Sequence, residues 1–353
     1  MFPLKCKSQN YAWGKFGLDS LVGQIHAKHN PDLSAEELQK LPFAEFWMGD
    51  HPNGPSMVKI AEEADIVHEL INDQTFIDQY KGQEIPISTL YKHQPTKFLG
   101  QAYLDKFSSD SLAFLFKVLS VRTALSIQAH PNKALAEKLH VQFPDKYKDP
   151  NHKPEIAIAL TDNFVACYGF ASSETIQANL DQNPKLGEIF PVTETPLNEA
   201  FLRASIDRMF NELDLEENTD KRTECISQIA AHIETLKPED RSEHQNLCMQ
   251  LVEQYGTGDI GILFSFLFNI LRLKVGESFV ISPDEPHAYI SGDLIEAMVS
   301  SDNVVRGGLT PKFKDTKTLQ DMLIYEFRER KQNSGEKKVD EEGAKLTEYP
   351  TGY

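Results

Sequence analysis

The chain has 353 residues, which on a prior of roughly 150 residues per domain allows two domains. Its hydrophobic fraction of 40% and charged fraction of 25% are those of an ordinary globular protein with a large core. The 53 acidic residues outnumber the 36 basic ones, and the net charge of −17 argues against non-specific binding to nucleic acid or an anionic membrane, although not against a small anionic ligand at a local basic cluster.

Residues 1–60 are rich in glycine, proline and aromatic residues, a composition that predicts short strands and turns. A brief helix is predicted at residues 35–40, with Ser34 as its N-cap and Glu37 completing a capping box. The polar sequence that follows contains two further helical candidates, at residues 62–72 and 87–91.

Residues 112–118 predict a strand in which Lys117 is the single charged residue of an apolar run. Charged side chains are rarely buried unless they are paired. Two interpretations stay open, because the lysine could extend to solvent from an edge strand or face a polar cavity.

Residues 125–155 contain polar side chains where a buried strand would have apolar ones. Alternate residues of a strand share a face, so Ser126, Gln128 and His130 point one way. Lys153 and Glu155 also share a face. If the two strands face each other, an amide oxygen, an imidazole and a carboxylate converge, and these donors suit Zn²⁺ or a similar divalent ion.

The remaining elements change in type along the chain. A helix is predicted at residues 132–139 and a strand at 164–170. Apolar residues at helical spacing predict three or four helices between residues 172 and 255. Strand-like sequence returns from 261 to 305, and the highly charged C-terminal residues are expected to be mobile.

Three further motifs bear on function. The glycines of residues 256–261 match a dinucleotide fingerprint, but a helical pattern precedes them and strand-like sequence follows, which predicts a connecting loop instead. His287 ends a tight turn at a strand start, where a lone histidine is more often structural. Arg306 precedes two glycines, which suits close approach of a phosphate or carboxylate, although a surface ion pair in a turn is equally compatible.

The four cysteines are scattered and predict neither a disulfide framework nor a cysteine zinc site; they are Cys6, Cys167, Cys225 and Cys248. Free thiols in a reducing cytoplasm are expected. No signal peptide is recognised, and the longest apolar stretch, residues 262–271, is far shorter than the roughly 18 residues that a membrane span needs.

Three segments closely resemble the type I phosphomannose isomerases, which are cupin-fold metalloenzymes: residues 126–131, 147–155 and 287–312. Weaker similarity at residues 11–14 and 47–56 extends the resemblance over nearly the whole chain. It implies a mainly β cupin or jelly-roll catalytic core with an inserted all-α helical domain. The implied domains are a discontinuous cupin-type catalytic domain (1–170 with 259–325), a helical insertion (171–258) and a charged tail (326–353).

The resemblance also implies a site. One zinc ion per chain would be bound by Gln128, His130, Glu155 and His287. The catalytic residues would be Arg306, Glu296 and Lys153. Candidates for substrate binding, through the phosphate, are Ser126, Lys117 and Lys312.

The implied activity is interconversion of mannose 6-phosphate and fructose 6-phosphate through an enediol-type intermediate, which supplies GDP-mannose for glycosylation. A monomer with a sugar-phosphate substrate and without nucleic-acid or membrane partners is expected. The family usually has Arg-Ala-Gly where this chain has Arg306-Gly307-Gly308, and this change is expected to loosen a loop. The family normally continues into a further C-terminal β-domain, which is expected to be absent or truncated here.

Two other functions compete with the isomerase. The chain could be a metal-binding cupin without isomerase activity, or a cupin metalloenzyme of other chemistry, such as an oxygenase. The presence of Lys153, Glu296 and Arg306 favours the isomerase, since a non-catalytic metal site has no need of them.

Overall fold

A computed structural model describes residues 3–63 and 65–328, together with the backbone of two short strands nearer the C-terminus. The strands are β1 (Lys7–Gln9), β2 (Lys15–Phe16), β3 (Pro42–Phe43), β4 (Glu45–Met48), β5 (Met57–Lys59), β6 (Glu84–Pro86), β7 (Phe114–Val121), β8 (Ile127–Ala129), β9 (Glu155–Ala159), β10 (Phe164–Phe170), β11 (Phe268–Leu273), β12 (Ser278–Ile281), β13 (His287–Val299), β14 (Val305–Gly308), β15 (Lys337–Val339) and β16 (Lys345–Thr347).

Helices are numerous as well. The α-helices are α1 (Leu21–His29), α2 (Ala35–Gln39), α3 (Ile66–Ile71), α4 (Gln74–Tyr80), α5 (Ile87–His93), α6 (Pro95–Phe98), α7 (Gln101–Phe107), α8 (Lys133–Gln142), α9 (Ser173–Gln182), α10 (Glu199–Arg208), α11 (Thr219–Glu234), α12 (Glu243–Tyr255) and α13 (Thr316–Met322). Shorter 3-10 helices lie at Gly17–Asp19, Pro184–Glu188, Glu216–Asn218, Pro238–Asp240 and Ile260–Phe266, and a π-helical turn at Met209–Leu213.

The main sheet has ten strands and is antiparallel. Its strand order is β1-β4-β7-β13-β10-β11, with β8 paired to β13 and β14, and β9 paired to β12 and β13. The long strand β13 therefore has the most neighbours, and its 13 residues begin at His287.

The chain folds into two compact units. Unit 1 comprises Met1–Thr123, Pro131–Ile156 and Asp293–Asn303. In it, β4 and β7 pair so that Trp47 lies opposite Lys117. A separate core in this unit is formed by apolar side chains of β5, β6 and α3 to α5, among them Val58, Ile71 and Leu90, which are fully buried.

Unit 2 comprises Ala124–His130, Ala157–Gly292 and Val304–Tyr353. Its strand β10 has the bounds that the sequence predicted, and it pairs with β11. Stacked and tilted aromatic rings fill its core, with Phe268 4.8 Å from Phe264 and 5.4 Å from Phe170 between ring centroids. The four helices α9 to α12 account for the predicted helical segment, while the domain boundaries themselves stay a prediction.

Local sequence rules predicted several elements well. The capping box of α2 is present, since the Ser34 hydroxyl accepts from the Glu37 N–H and the Glu37 carboxylate accepts from the Ser34 N–H. Helix α8 begins after Asn132, whose side chain accepts from the N–H of Leu135. The glycine motif follows the end of α12 as a loop, where Gly256 has a φ of +69°.

Other expectations were wrong. The strand-like sequence after Gly261 begins with a buried 3-10 helix, Ile260–Phe266. Helix α1 was not predicted, although Ser20 caps it through the N–H of Gly23. The glycine- and proline-rich composition of the first 60 residues concealed this helix, because single glycines weaken a helical pattern.

The pair Gly307-Gly308 does not loosen a loop, because both residues belong to strand β14. A Cβ atom on Gly308 would lie 2.5 Å from the Cα of Gly261, and one on Gly307 would lie 2.6 Å from a side-chain atom of Leu319. These glycines permit close packing around the strand that contains Arg306.

The predicted mobile tail at residues 326–353 lies mostly outside the described residues. Within it, β15 and β16 pair antiparallel. Across the part of the chain that the structure describes, no helix combines the length and the apolar composition that crossing a bilayer would require.

All four cysteines are free, as predicted. Burial raises the pKa of Cys167 and of Cys248 to about 12, so at pH 8 only about one thiol in ten thousand would be a thiolate. We expect iodoacetamide at pH 8 to modify at most Cys6 and Cys225 in the native protein, and all four thiols after denaturation. Intact-mass spectrometry would count the adducts, and rapid native modification of three thiols would contradict this prediction.

Candidate metal centre and active site

Strand β8 places Gln128 between two other predicted site residues. On one side, β13 pairs with β8 so that His287 lies opposite Gln128. On the other side, β14 pairs with β8 so that Arg306 lies opposite Gln128. Three predicted site residues that are far apart in sequence are therefore neighbours in the sheet.

The predicted ligands His130, Glu155 and His287 converge. Their candidate ligand atoms all lie within 4.8 Å of one another, and in the part of the chain that the structure describes this is the one group of three or more such residues. All three side chains are buried, with exposed fractions of 0%, 3% and 1%. Two imidazoles and a carboxylate are donors that suit zinc, so the donor set fits the ion that the sequence predicted.

The orientation of His287 also fits a metal ligand. Its Nδ1 is 3.1 Å from the carbonyl oxygen of Glu285, so Nδ1–H donates to that oxygen and the lone pair is on Nε2. Such a backbone carbonyl is the usual partner that fixes the tautomer of a ligating histidine. The Nε2 atom of His287 lies 3.3 Å from the Gln128 amide.

The Gln128 side chain can complete the donor set. The Ser126 hydroxyl donates to the Gln128 Oε1 at 2.9 Å. If the amide turns so that Oε1 faces His287, its NH₂ group can donate to the same hydroxyl, since a hydroxyl accepts as well as it donates. Ser126 therefore supports either orientation, and its predicted contact with substrate stays a prediction.

Lys117 lies in a buried ionic group, which we call the lysine–glutamate cluster (Glu45, Lys117 and Glu296). The ammonium of Lys117 is 2.9 Å from the Glu296 carboxylate and 3.6 Å from that of Glu45. Burial alone would lower the pKa of Lys117, but the negative charges of Glu296 and Glu45 raise it above its ordinary value. Lys117 is therefore a buried, paired cation, and the solvent-edge interpretation is wrong.

Glu296 of this cluster also experiences the charges of Glu155 and Lys153. Burial raises the pKa of Glu296, and the negative charge of Glu155 raises it further against the opposing charges of Lys117 and Lys153. The Lys153 ammonium is 3.2 Å from the Glu155 carboxylate. Both residues predicted to move protons are thus buried and paired with oppositely charged side chains.

The sequence analysis missed Glu45 and Trp47. The indole N–H of Trp47 donates to the Glu45 carboxylate at 2.5 Å, and the Lys117 ammonium lies 5.3 Å from the centre of the Trp47 ring. A usable pattern was present, because Glu45 is a carboxylate within an apolar strand and shares a face with Trp47 two residues later.

A second missed pair lies nearby in unit 1. The Nε2 atom of His51 is 3.2 Å from a carboxylate oxygen of Asp302, and this hydrogen bond lowers the pKa of Asp302. Among the remaining predicted residues, Arg306 is half-buried on β14 and Lys312 is exposed. The backbone N–H of Lys312 donates to the Thr310 hydroxyl at 3.1 Å.

A buried group of metal-binding side chains beside paired lysines and glutamates defines a candidate metalloenzyme. Comparisons with known proteins show to which family of metalloenzymes the chain is similar. Residues 1–172 match the model of the phosphomannose isomerase type I catalytic domain. The chain is 39% identical over 335 residues to mannose-6-phosphate isomerase 2 of Arabidopsis thaliana, covering 92% of this chain and 71% of that protein.

Two further relatives agree. Identity to a probable mannose-6-phosphate isomerase of Dictyostelium discoideum is 38% over 331 residues, covering 91% of this chain and 69% of that protein. A solved structure of mannose 6-phosphate isomerase, described as holo and zinc bound, has a TM-score of 0.70 at 28% identity, covering 93% of this chain and 75% of the other. The chain belongs to the type I phosphomannose isomerase family and is an isomerase of that family, which confirms the resemblance.

Proposed function

We propose that this protein interconverts mannose 6-phosphate and fructose 6-phosphate with one zinc ion bound by Gln128, His130, Glu155 and His287. The observation that carries the proposal is the convergence of the buried donors of His130, Glu155 and His287. The zinc-bound state of a related structure supports the choice of metal.

The reaction moves one proton between adjacent carbons of the sugar and passes through an enediol-type intermediate. When bound, zinc would supply Lewis-acid polarisation of sugar oxygens. Glu296 or Lys153 would transfer the proton. Burial raises the pKa of Glu296 toward the neutral range in which a general base works best, which supports Glu296 in this role.

Positively charged side chains would stabilise the intermediate and bind the phosphate of the substrate. The guanidinium of Arg306 stays charged throughout the physiological range and would act as a fixed electrostatic stabiliser. The ammonium of Lys117 is paired with two buried carboxylates. This pairing supports a role in neutralising the negative charge of Glu296 rather than a contact with the phosphate. Ser126 and Lys312 remain the candidates for phosphate contact, and the exposure of Lys312 is compatible with that role.

The finer architecture belongs to the same proposal. We infer a cupin-type core of residues 1–170 and 259–325 with a helical insertion at 171–258. The antiparallel strands support the core, since three proposed ligands lie on them and the fourth directly follows one, and the four helices α9 to α12 support the insertion. A cytoplasmic monomer that supplies mannose for GDP-mannose synthesis is the expected setting. The scattered free cysteines support the cytoplasm.

An assay tests this function directly. Purified protein with mannose 6-phosphate should form fructose 6-phosphate, lose this activity after complete metal removal by a chelator, and regain it when zinc is added back. Glucose 6-phosphate, which differs in configuration at one carbon, is the matched control substrate. A zinc-loaded protein inert toward mannose 6-phosphate would favour the alternative, a metal-binding cupin without isomerase activity. Undiminished activity without metal would contradict the zinc requirement.

A further inference from the structure

The segment that contains Lys153 has no regular secondary structure. Residues 143–154 connect α8 to β9 without a helix or strand. Lys153 is 7% exposed near the end of this loop. Something other than helical or sheet hydrogen bonds must therefore fix the backbone that directs its side chain.

Asp149 makes a dense set of hydrogen bonds within unit 1. Its carboxylate accepts from the Ser301 hydroxyl and from the backbone N–H of Asp302, both at 2.8 Å. It also accepts from the backbone N–H of Asn151 at 2.9 Å. One carboxylate thus joins the loop to the residues that follow β13, and charge-assisted hydrogen bonds of this kind are stronger than neutral ones.

The side chain of Asn303 binds the backbone of the same loop. Its side-chain NH₂ group donates to the carbonyl oxygen of Asp149 at 2.7 Å and to that of Asn151 at 2.8 Å. Asn303 is fully buried and Ser301 is 3% exposed. Because a buried amide that loses its partners is costly, this arrangement strongly favours one position of the loop. We call Asp149, Ser301 and Asn303 the loop clasp.

We propose that the loop clasp positions the Lys153 ammonium in the active site, an inference that rests on the proposed function. The clasp fixes the backbone two residues before Lys153, and the Lys153 ammonium then lies 3.2 Å from the Glu155 carboxylate. A flexible four-carbon side chain reaches a defined place only when its backbone is defined. Asp149, Ser301 and Asn303 are therefore positioning residues that act through Lys153.

The first test removes parts of the clasp. Asn303→Ala and Asp149→Asn are expected to lower kcat of zinc-loaded enzyme by about 10- to 100-fold, because a displacement of about 1 Å can cost that much. The KM for mannose 6-phosphate and the zinc content should stay close to those of the unmodified protein. Asp145→Asn makes the same chemical change at an exposed position of the same loop and is the control. Ser301→Ala is the milder variant should the others fail to fold.

The second test asks whether the effect passes through Lys153. In a Lys153→Met background, adding Asn303→Ala or Ser301→Ala should cause no further loss of kcat, since the positioned group is already gone. A full additional loss in that background would overturn the proposal, as would a clasp variant with normal kcat and only a lower melting temperature. An unmodified protein without isomerase activity would instead refute the proposed function, so the two failures are distinguishable.

Discussion

Replacing His287 by alanine is expected to abolish stoichiometric zinc binding and, with it, isomerase activity. His287 is 1% exposed, and its Nδ1 hydrogen bond to the Glu285 carbonyl directs its Nε2 lone pair toward the other donors. Loss of a partner that only orients a ligand already weakens metal binding about 10- to 100-fold, so loss of a ligand should weaken it more. Metal analysis of gel-filtered protein would measure the zinc content.

His232→Ala is the matched control for this variant. His232 is an exposed histidine of α11, and its Nε2 contacts the carbonyl oxygen of Gln182 at 3.0 Å. Its removal should leave the zinc content unchanged. Circular dichroism would establish that both variants are folded. Retention of one zinc per chain by folded His287→Ala would remove His287 from the ligand set.

The convergence of the metal-binding side chains was partly predictable from sequence. Alternation along residues 125–130 predicted that Gln128 and His130 share a face, and donor chemistry predicted a divalent ion. His287 could not be assigned by such rules, because its position opposite Gln128 depends on a strand pairing between residues more than 150 positions apart. The family resemblance, which reflects that pairing indirectly, was needed to include it.

Elements determined by local interactions were predicted best. The capping box of α2 needs only residues three positions apart, and the sequence rule for it held. The segment Ile260–Phe266 was mispredicted because a short apolar run suits a buried strand and a buried helix equally. The role of the glycines at 307 and 308 depended on distant atoms of Leu319 and Gly261, which no local pattern reveals.

The lysine–glutamate cluster shows that the ionic partners of a buried charge cannot be found by local sequence rules. Because Lys117 is the single charged residue of an apolar strand, the sequence predicted that it is either exposed or faces a polar cavity. Its partners could not be identified from the neighbouring sequence. The partners are Glu45 on β4 and Glu296 on β13. Glu296, whose carboxylate lies nearer to the ammonium, is 179 positions away in the sequence. Because one cation lies between two carboxylates, changing either carboxylate changes the charge that the other one experiences.

Glu296→Gln is expected to lower kcat by about 100- to 10,000-fold while leaving the zinc content unchanged, because general acid–base catalysis contributes about that much. The amide keeps the shape of the side chain but cannot take up a proton. Lys117 would keep Glu45 as an ionic partner at 3.6 Å, so the buried cation should not be left unpaired. Single-turnover kinetics on zinc-loaded protein would separate proton transfer from substrate binding and product release.

Glu45→Gln is the informative control, since it makes the same chemical change beside the same lysine. If Glu296 moves the proton, Glu296→Gln should lose far more turnover than Glu45→Gln, because only the first variant removes the reacting group. Equal losses would instead assign both carboxylates to balancing the charge of Lys117, and Lys153 would become the base to test. A near-normal kcat for Glu296→Gln would exclude it as the proton carrier, whatever Glu45→Gln does.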